Sequence, residues 1–177
     1  MNTKNIERYL NSFGKYIIKQ ARTNLSKGKK NVNNELYNSL KFTVTKKGGD
    51  YSVNFYMLDY GTFVDKGVSG TNQQQSYKSY EGKTINSPYK YTTKQPPSNM
   101  LAKWISKRGI KGRDKKSGRF ISNLSLAFIM GRKIKRDGIK GISFFQRPLQ
   151  LGLKKFGGEI LKSIKTDLVN SVTQNNS

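Results

Sequence analysis

The sequence contains no cysteine and no histidine among its 177 residues, and only 10 Asp or Glu against 34 Lys or Arg. Without Cys and His the chain can form no disulfide, no Cys-His nucleophile, no Ser-His-Asp triad and no conventional zinc site. The ten carboxylates are scattered along the chain and do not cluster. We therefore predict that the protein is not an enzyme and holds no catalytic residues, no metal and no cofactor.

Long apolar runs are also absent. A representative run is residues 126–130 (LAFIM), far short of the ~20 residues that span a bilayer. Residues 1–7 lead into a polar amphipathic pattern without the apolar core of a signal peptide. We expect a protein of the cytoplasm with no membrane partner.

The dominant feature present is a net charge of +24. This charge exceeds what solubility requires, and its self-repulsion destabilises an isolated compact monomer. An anionic neighbour is therefore expected, such as nucleic acid or an acidic protein surface. Because 26 of the basic residues are Lys, diffuse attraction is favoured over bidentate base reading by Arg.

Apolar periodicity predicts an α+β fold in a single domain over 1–177, with a small antiparallel sheet formed by a hairpin and a third strand. The apolar stripes of the helices, including Trp104, are interpreted as core. Ser98 is interpreted as an N-cap. The predicted elements are an N-terminal helix over 4–27, a hairpin over 39–58, a short helix from 98 to 109, a helix over 120–136, the third strand over 139–145 and a long C-terminal helix from 147.

A long polar arm is predicted over about 71–97. Four tyrosines lie in it, and they fit either stacking on bases or docking against a neighbouring subunit. We favour the subunit interface, because four Tyr on a long polar segment suit a groove of another chain. These arm residues are Tyr77, Tyr80, Tyr89 and Tyr91.

A basic loop is predicted over about 107–119, where seven basic residues face one acid. Such a loop can contact phosphates without reading sequence, can bind an acidic protein, or can simply be a solvated run of charge. The candidate contact residues for nucleic acid or an acidic partner are Lys107, Arg108, Lys111, Arg113, Lys115, Lys116 and Arg119.

One pattern allows an enzymatic alternative. Asp65, Glu81 and Lys83 follow the acid, spacer, acid-x-lysine order of Mg²⁺-dependent nucleases. Glu81 lies in a loop rich in Ser, Gln and Gly, whereas such nucleases carry the second acid and the lysine on a central strand. A solvated loop is therefore the favoured interpretation.

The order of features resembles the head-tail joining or tail-completion proteins of tailed bacteriophages. Three segments carry the resemblance together with the N-terminal amphipathic helix. They are residues 34–40 (NELYNSL) before the first strand, residues 60–67 (YGTFVDKG) after the hairpin, and residues 142–149 (ISFFQRPL) at the entry to the last helix. Residues 71–97 and 107–119 look like insertions relative to that family.

The resemblance implies a structural virion protein of the neck or upper tail, assembled in the bacterial host cytoplasm. It implies a cyclic homo-oligomer of about six or twelve copies, with a portal or adaptor ring and tail proteins as neighbours and DNA as a possible contact. The alternative from charge alone is a free, sequence-independent nucleic-acid-binding protein.

Overall fold

The computed structural model describes residues 4–28 and 34–174. Helices are combined with short antiparallel strands, which confirms the predicted α+β class. The elements are α1 (Lys4–Lys27), α2 (Glu35–Ser39), β1 (Lys41–Lys47), β2 (Asp50–Tyr56), α3 (Gly61–Lys66), β3 (Val68–Ser69), β4 (Ser76–Lys78), β5 (Thr84–Asn86), α4 (Ser98–Lys107), α5 (Asn123–Asp137), β6 (Gly138–Ile139) and α6 (Gln146–Gln174).

The chain divides into two compact units. Of the described residues, the first unit contains those up to Gly61, Lys78–Lys83 and those from Ser143 onward. The second unit contains Thr62–Tyr77 and Thr84–Ile142. A single domain over 1–177 stays a prediction.

Helix α1 forms the centre of the first unit. Ile17, Ala21 and Leu25 recur every four residues and are fully buried, as the predicted amphipathic stripe requires. The helix packs against α6 and against the β1–β2 hairpin. The Phe13 ring meets the rings of Phe55 and Phe156 edge-on, at 6.1 and 5.9 Å between centroids.

The predicted hairpin is confirmed. Strands β1 and β2 pair antiparallel in a register that places Val44 opposite Val53. Gly48 and Gly49 connect them with φ of +58° and +100°. A two-residue turn with both φ positive matches the right-handed twist of the strands, and glycine adopts it without strain.

The predicted third strand over 139–145 is wrong in extent and in partner. Strand β6 contains only Gly138 and Ile139, and it pairs with β3 in the second unit instead of with the hairpin. Ser143 has a φ of +48°, which interrupts extended backbone. The following Phe144 and Phe145 are buried side chains of the first unit.

The second unit is organised by α4 packing against α5. Ile105 of α4 and Ala127 of α5 are fully buried there. The interpretation of Ser98 as an N-cap is wrong, because Pro97 occupies the cap position and Ser98 is the first helical residue. Helix α5 has a side-chain cap, since Ser122 Oγ accepts the Ser125 N–H at 3.1 Å.

Candidate interaction surfaces

The basic loop is an ordered hairpin-like segment. Arg113 and Phe120 form an antiparallel bridge, and the Asp114 N–H donates to the Arg119 carbonyl at 2.9 Å. The Ile121 N–H closes the base of the segment by donating to the Gly112 carbonyl at 3.1 Å. These cross-loop bonds hold the loop in one shape and so fix where its side chains project.

Asp114, the single acid of the loop, stabilises the loop through hydrogen bonds to its neighbours. A carboxylate oxygen of Asp114 accepts the N–H of Lys116 at 3.1 Å and both the N–H and the hydroxyl of Ser117, at 2.8 and 2.9 Å. The hydrogen bonds from Ser117, the backbone one foremost, lower the pKa of the Asp114 carboxyl from its usual value. A local Asx-type turn of this kind is a known role of aspartate in loops.

All seven predicted contact residues of the basic loop are exposed. Some of them lie over aromatic rings: the Arg113 guanidinium is 4.2 Å and the Lys111 ammonium 5.9 Å from the centroid of Phe120. The Arg108 guanidinium is 5.9 Å from the ring centroid of Trp104. Cation–π contacts of this type restrict the conformations of the cationic side chains. Less side-chain entropy is therefore lost when these side chains bind an anion.

The predicted polar arm contains secondary structure. Strands β4 and β5 pair within it, and residues 78–83 belong to the first unit while the rest belongs to the second. In the first-unit part, the Lys78 N–H donates to Ser143 Oγ at 3.1 Å and the Tyr80 N–H to Gln146 Oε1 at 3.0 Å.

The four tyrosines differ in their surroundings. Tyr77 is half-buried with the Lys66 ammonium 5.8 Å from its ring centroid. Tyr89 meets Phe63 edge-on at 4.5 Å, and burial raises the pKa of the Tyr91 hydroxyl. Tyr80 is 46% exposed, so it presents the largest ring surface of the four to a neighbour. Their role in a subunit interface stays a prediction.

Helix α5 only partly buries the apolar stripe that the sequence interpretation placed in the core, which runs through Leu124, Ala127, Phe128 and Met130. Leu124, Phe128 and Ile129 are 58%, 50% and 57% exposed; we call these three side chains the α5 face. The inward side of the helix is formed by small residues, Ala127 and Gly131, which are buried. Within the predicted stripe, Ala127 is therefore buried as expected, whereas Leu124 and Phe128 are exposed.

Basic residues continue the exposed side of α5. Arg132, Lys133 and Arg136 are exposed on the last two turns. Arg136 pairs with the neighbouring Asp137 at 2.6 Å, and this hydrogen-bonded pair lowers the pKa of the Asp137 carboxyl. The helix therefore presents an apolar first half and a basic second half.

The residues of the nuclease-like pattern lie in different surroundings. Asp65 is 1% exposed, whereas Glu81 is exposed and forms an ion pair with Lys83 at 3.0 Å. Among the side chains that the structure describes, no three from His, Cys, Asp or Glu are grouped so that they could hold a metal ion.

A groove on α1 was not found from the sequence. It has a volume of about 600 Å³ and is lined by side chains of α1 and by Tyr37 of α2. Four of its lining residues are cationic, namely Lys15, Lys19, Arg22 and Lys27. The sequence gives no signal for this groove, because it is completed by Tyr37 from a different helix.

Within the described part of the chain, no helix combines the length and the apolar character needed to cross a membrane. Comparison with family models, with curated proteins and with solved structures finds no match.

Proposed function

We propose that this protein is a structural virion protein of a tailed bacteriophage, forming a ring in the head-tail connector, neck or upper tail through which DNA passes. The ring contains about six or twelve copies and contacts a portal or adaptor ring and tail proteins. The motif resemblance motivates the proposal, and the exposed α5 face is the observation that carries it.

Burial of the α5 face in an interface would stabilise an oligomer. Fully burying a large apolar side chain contributes ~1.5–3 kcal/mol, and each of the three is about half exposed, so covering them contributes roughly 2–4 kcal/mol. Association itself costs ~4–15 kcal/mol. The face is therefore the centre of a larger interface, of the ~800 Å² per partner that stable complexes bury.

In such a ring, the apolar and the charged surfaces of each copy contact different neighbours. The apolar half of α5 is covered by an adjoining copy, whereas the exposed cations of the basic loop face DNA or an acidic ring. A chain with a net charge of +24 gains from an anionic neighbour, because counterion release and Coulomb attraction offset the repulsion between copies.

Mutation of the α5 face tests the proposal. We expect the purified protein at high salt to form closed rings and the double variant L124S/F128S to remain smaller, as measured by mass photometry and electron microscopy. The matched control is L161S, which removes another exposed leucine, 69% exposed on α6. Rings in L124S/F128S with the wild-type copy number would overturn the role of the face.

A free, sequence-independent DNA-binding protein is the second candidate. The observation that favours it is the ordered basic loop with its seven exposed cations. Binding of duplex DNA by a monomer, with affinity falling steeply as salt rises, would support this candidate over the ring.

A further inference from the structure

The groove on α1 has the composition of an anion-binding site. Besides the four cations, Ile18 and Tyr37 line it, and Ile18 is a buried side chain. Among the residues that the structure describes, no carboxylate lines the groove. The site thus combines positive charge with an apolar floor.

The cations follow one another along the helix at steps of four, three and five residues, from Lys15 through Lys19 and Arg22 to Lys27. These steps rise about 6, 4.5 and 7.5 Å along the axis, a mean of about 6 Å. The whole series from Lys15 to Lys27 extends about 18 Å along the axis.

Arg22 is held in place before any ligand binds. Its Nε donates to the Tyr37 carbonyl and an Nη to the Leu40 carbonyl, both at 3.1 Å. Its guanidinium also lies 5.1 Å from the Tyr37 ring centroid. These bonds use part of its five N–H donors and fix the rest, which lowers the entropic cost of binding a carboxylate.

We infer that the groove binds an extended acidic segment of a partner protein, with carboxylates at alternate positions. Alternate residues of an extended chain share one face and are about 6.6 Å apart, close to the mean axial spacing of the cations. The apolar floor suits the aliphatic parts of such a segment. The recess is open to solvent along one side, so an extended peptide can lie in it and cover the apolar floor, which the sugar-phosphate backbone of DNA would leave bare.

This inference does not depend on ring formation. An acidic segment could belong to a ring neighbour or to any other partner, and peptide binding is measured separately from particle mass. Failure of one proposal therefore leaves the other standing.

The experiment is a fluorescence-anisotropy titration with a labelled peptide of alternating Asp and Ser. It is performed near 0.15 M salt, where charges more than ~8 Å apart are largely screened. Two variants of equal charge are compared: K15Q/K19Q in the groove, and K41Q/K47Q on the exposed positions of β1. Far-UV circular dichroism verifies that both variants keep their helices.

We expect K15Q/K19Q to lose at least ~10-fold in affinity, as removal of two charge-assisted contacts implies, and K41Q/K47Q to lose less than about twofold. A second peptide of the same composition with its Asp residues contiguous should bind several-fold more weakly. Equal losses in the two variants, or equal affinity for the two peptides, would mean that the peptide binds through the net charge of the protein and not in the groove. Either result would overturn the inference. A direct titration with labelled duplex DNA in which K15Q/K19Q loses as much affinity for DNA as for the peptide, while K41Q/K47Q does not, would assign the groove to nucleic acid and overturn the inference as well.

Discussion

At the residue scale, Gly152 on α6 leaves no room for a side chain. A Cβ at this position would lie 2.5 Å from Ile17 Cδ1 and 2.9 Å from the Phe13 ring. Gly157, five residues later on the same helix, has open space around the equivalent position. The close approach of α1 and α6 therefore depends on one glycine and not on the other.

We predict opposite effects for alanine at these two glycines. G152A should lower the free energy of unfolding by about 1–3 kcal/mol, because it overpacks the α1–α6 contact. G157A should raise it by up to about 1 kcal/mol, since alanine is the better helix former. Urea unfolding followed by circular dichroism measures both, and a stabilising G152A would contradict the packing described.

Asp114 is the second residue with a defined role. The pKa of its carboxyl is lowered in the folded loop, so the carboxylate stabilises the loop above the ordinary Asp pKa. This contribution is lost as the pH falls through the lowered value. Because the Ser117 N–H donates a hydrogen bond to the Asp114 carboxylate, the chemical shift of this amide changes as the carboxyl titrates.

NMR titration of the Ser117 amide is therefore predicted to show a midpoint below the ordinary Asp value of about 3.9. In D114N the same amide should show no such transition, which makes that variant the control. A midpoint at or above the ordinary value would mean that Asp114 does not organise the loop.

At the scale of elements, the two helices of the second unit begin differently. Ser122 Oγ caps α5 by accepting the Ser125 N–H, whereas α4 begins after Pro97 without a side-chain cap. S122A should lower the free energy of unfolding by about 1 kcal/mol, and S98A should change it by less than ~0.5 kcal/mol. Thermal and urea unfolding of the two variants test this, and equal destabilisation by both would contradict the assigned caps.

Periodicity was sufficient where one face of an element carries all of its large apolar residues. For α1 the stripe through Ile17, Ala21 and Leu25 gave the bounds 4–27 that the structure confirms. Alternation around the two turn glycines likewise gave the hairpin. In both cases local pattern and tertiary packing favour the same structure.

Periodicity gave wrong or incomplete predictions where the backbone conformation or the packing departs from a regular pattern. The strand expected over 139–145 ends at Ile139, since its partner β3 has only two residues, and the positive φ of Ser143 interrupts extended backbone further on without a sequence signal. On α5, the buried positions are Ala127 and Gly131, whereas Leu124 and Phe128 of the predicted stripe are exposed. The groove on α1 was missed because it requires Tyr37 of α2 to complete it, and a contact between two elements is not encoded in the spacing of either one.

At the scale of the whole molecule, charge and exposed apolar surface act together. The net charge of +24 opposes association of identical copies at low salt, while the α5 face favours it. Salt should therefore promote self-association, because screening weakens the repulsion between the charged copies and does not weaken the burial of apolar surface. The same salt weakens any contact with DNA.

The basic loop supplies the corresponding prediction for DNA. In the double variant K115Q/K116Q, the slope of log affinity against log salt for duplex DNA should fall by roughly 0.9 for each phosphate contact removed. The control K41Q/K47Q removes the same charge from the hairpin and should leave the slope nearly unchanged. If both variants change the slope equally, the loop is not the contact.

The most direct test of the ring proposal is electron microscopy combined with mass measurement on the purified protein at high salt. The proposal predicts closed rings of one defined symmetry, with an open lumen wide enough for a DNA duplex to pass. A protein that stays monomeric at every salt and protein concentration, and is also monomeric when extracted from assembled particles, would contradict it.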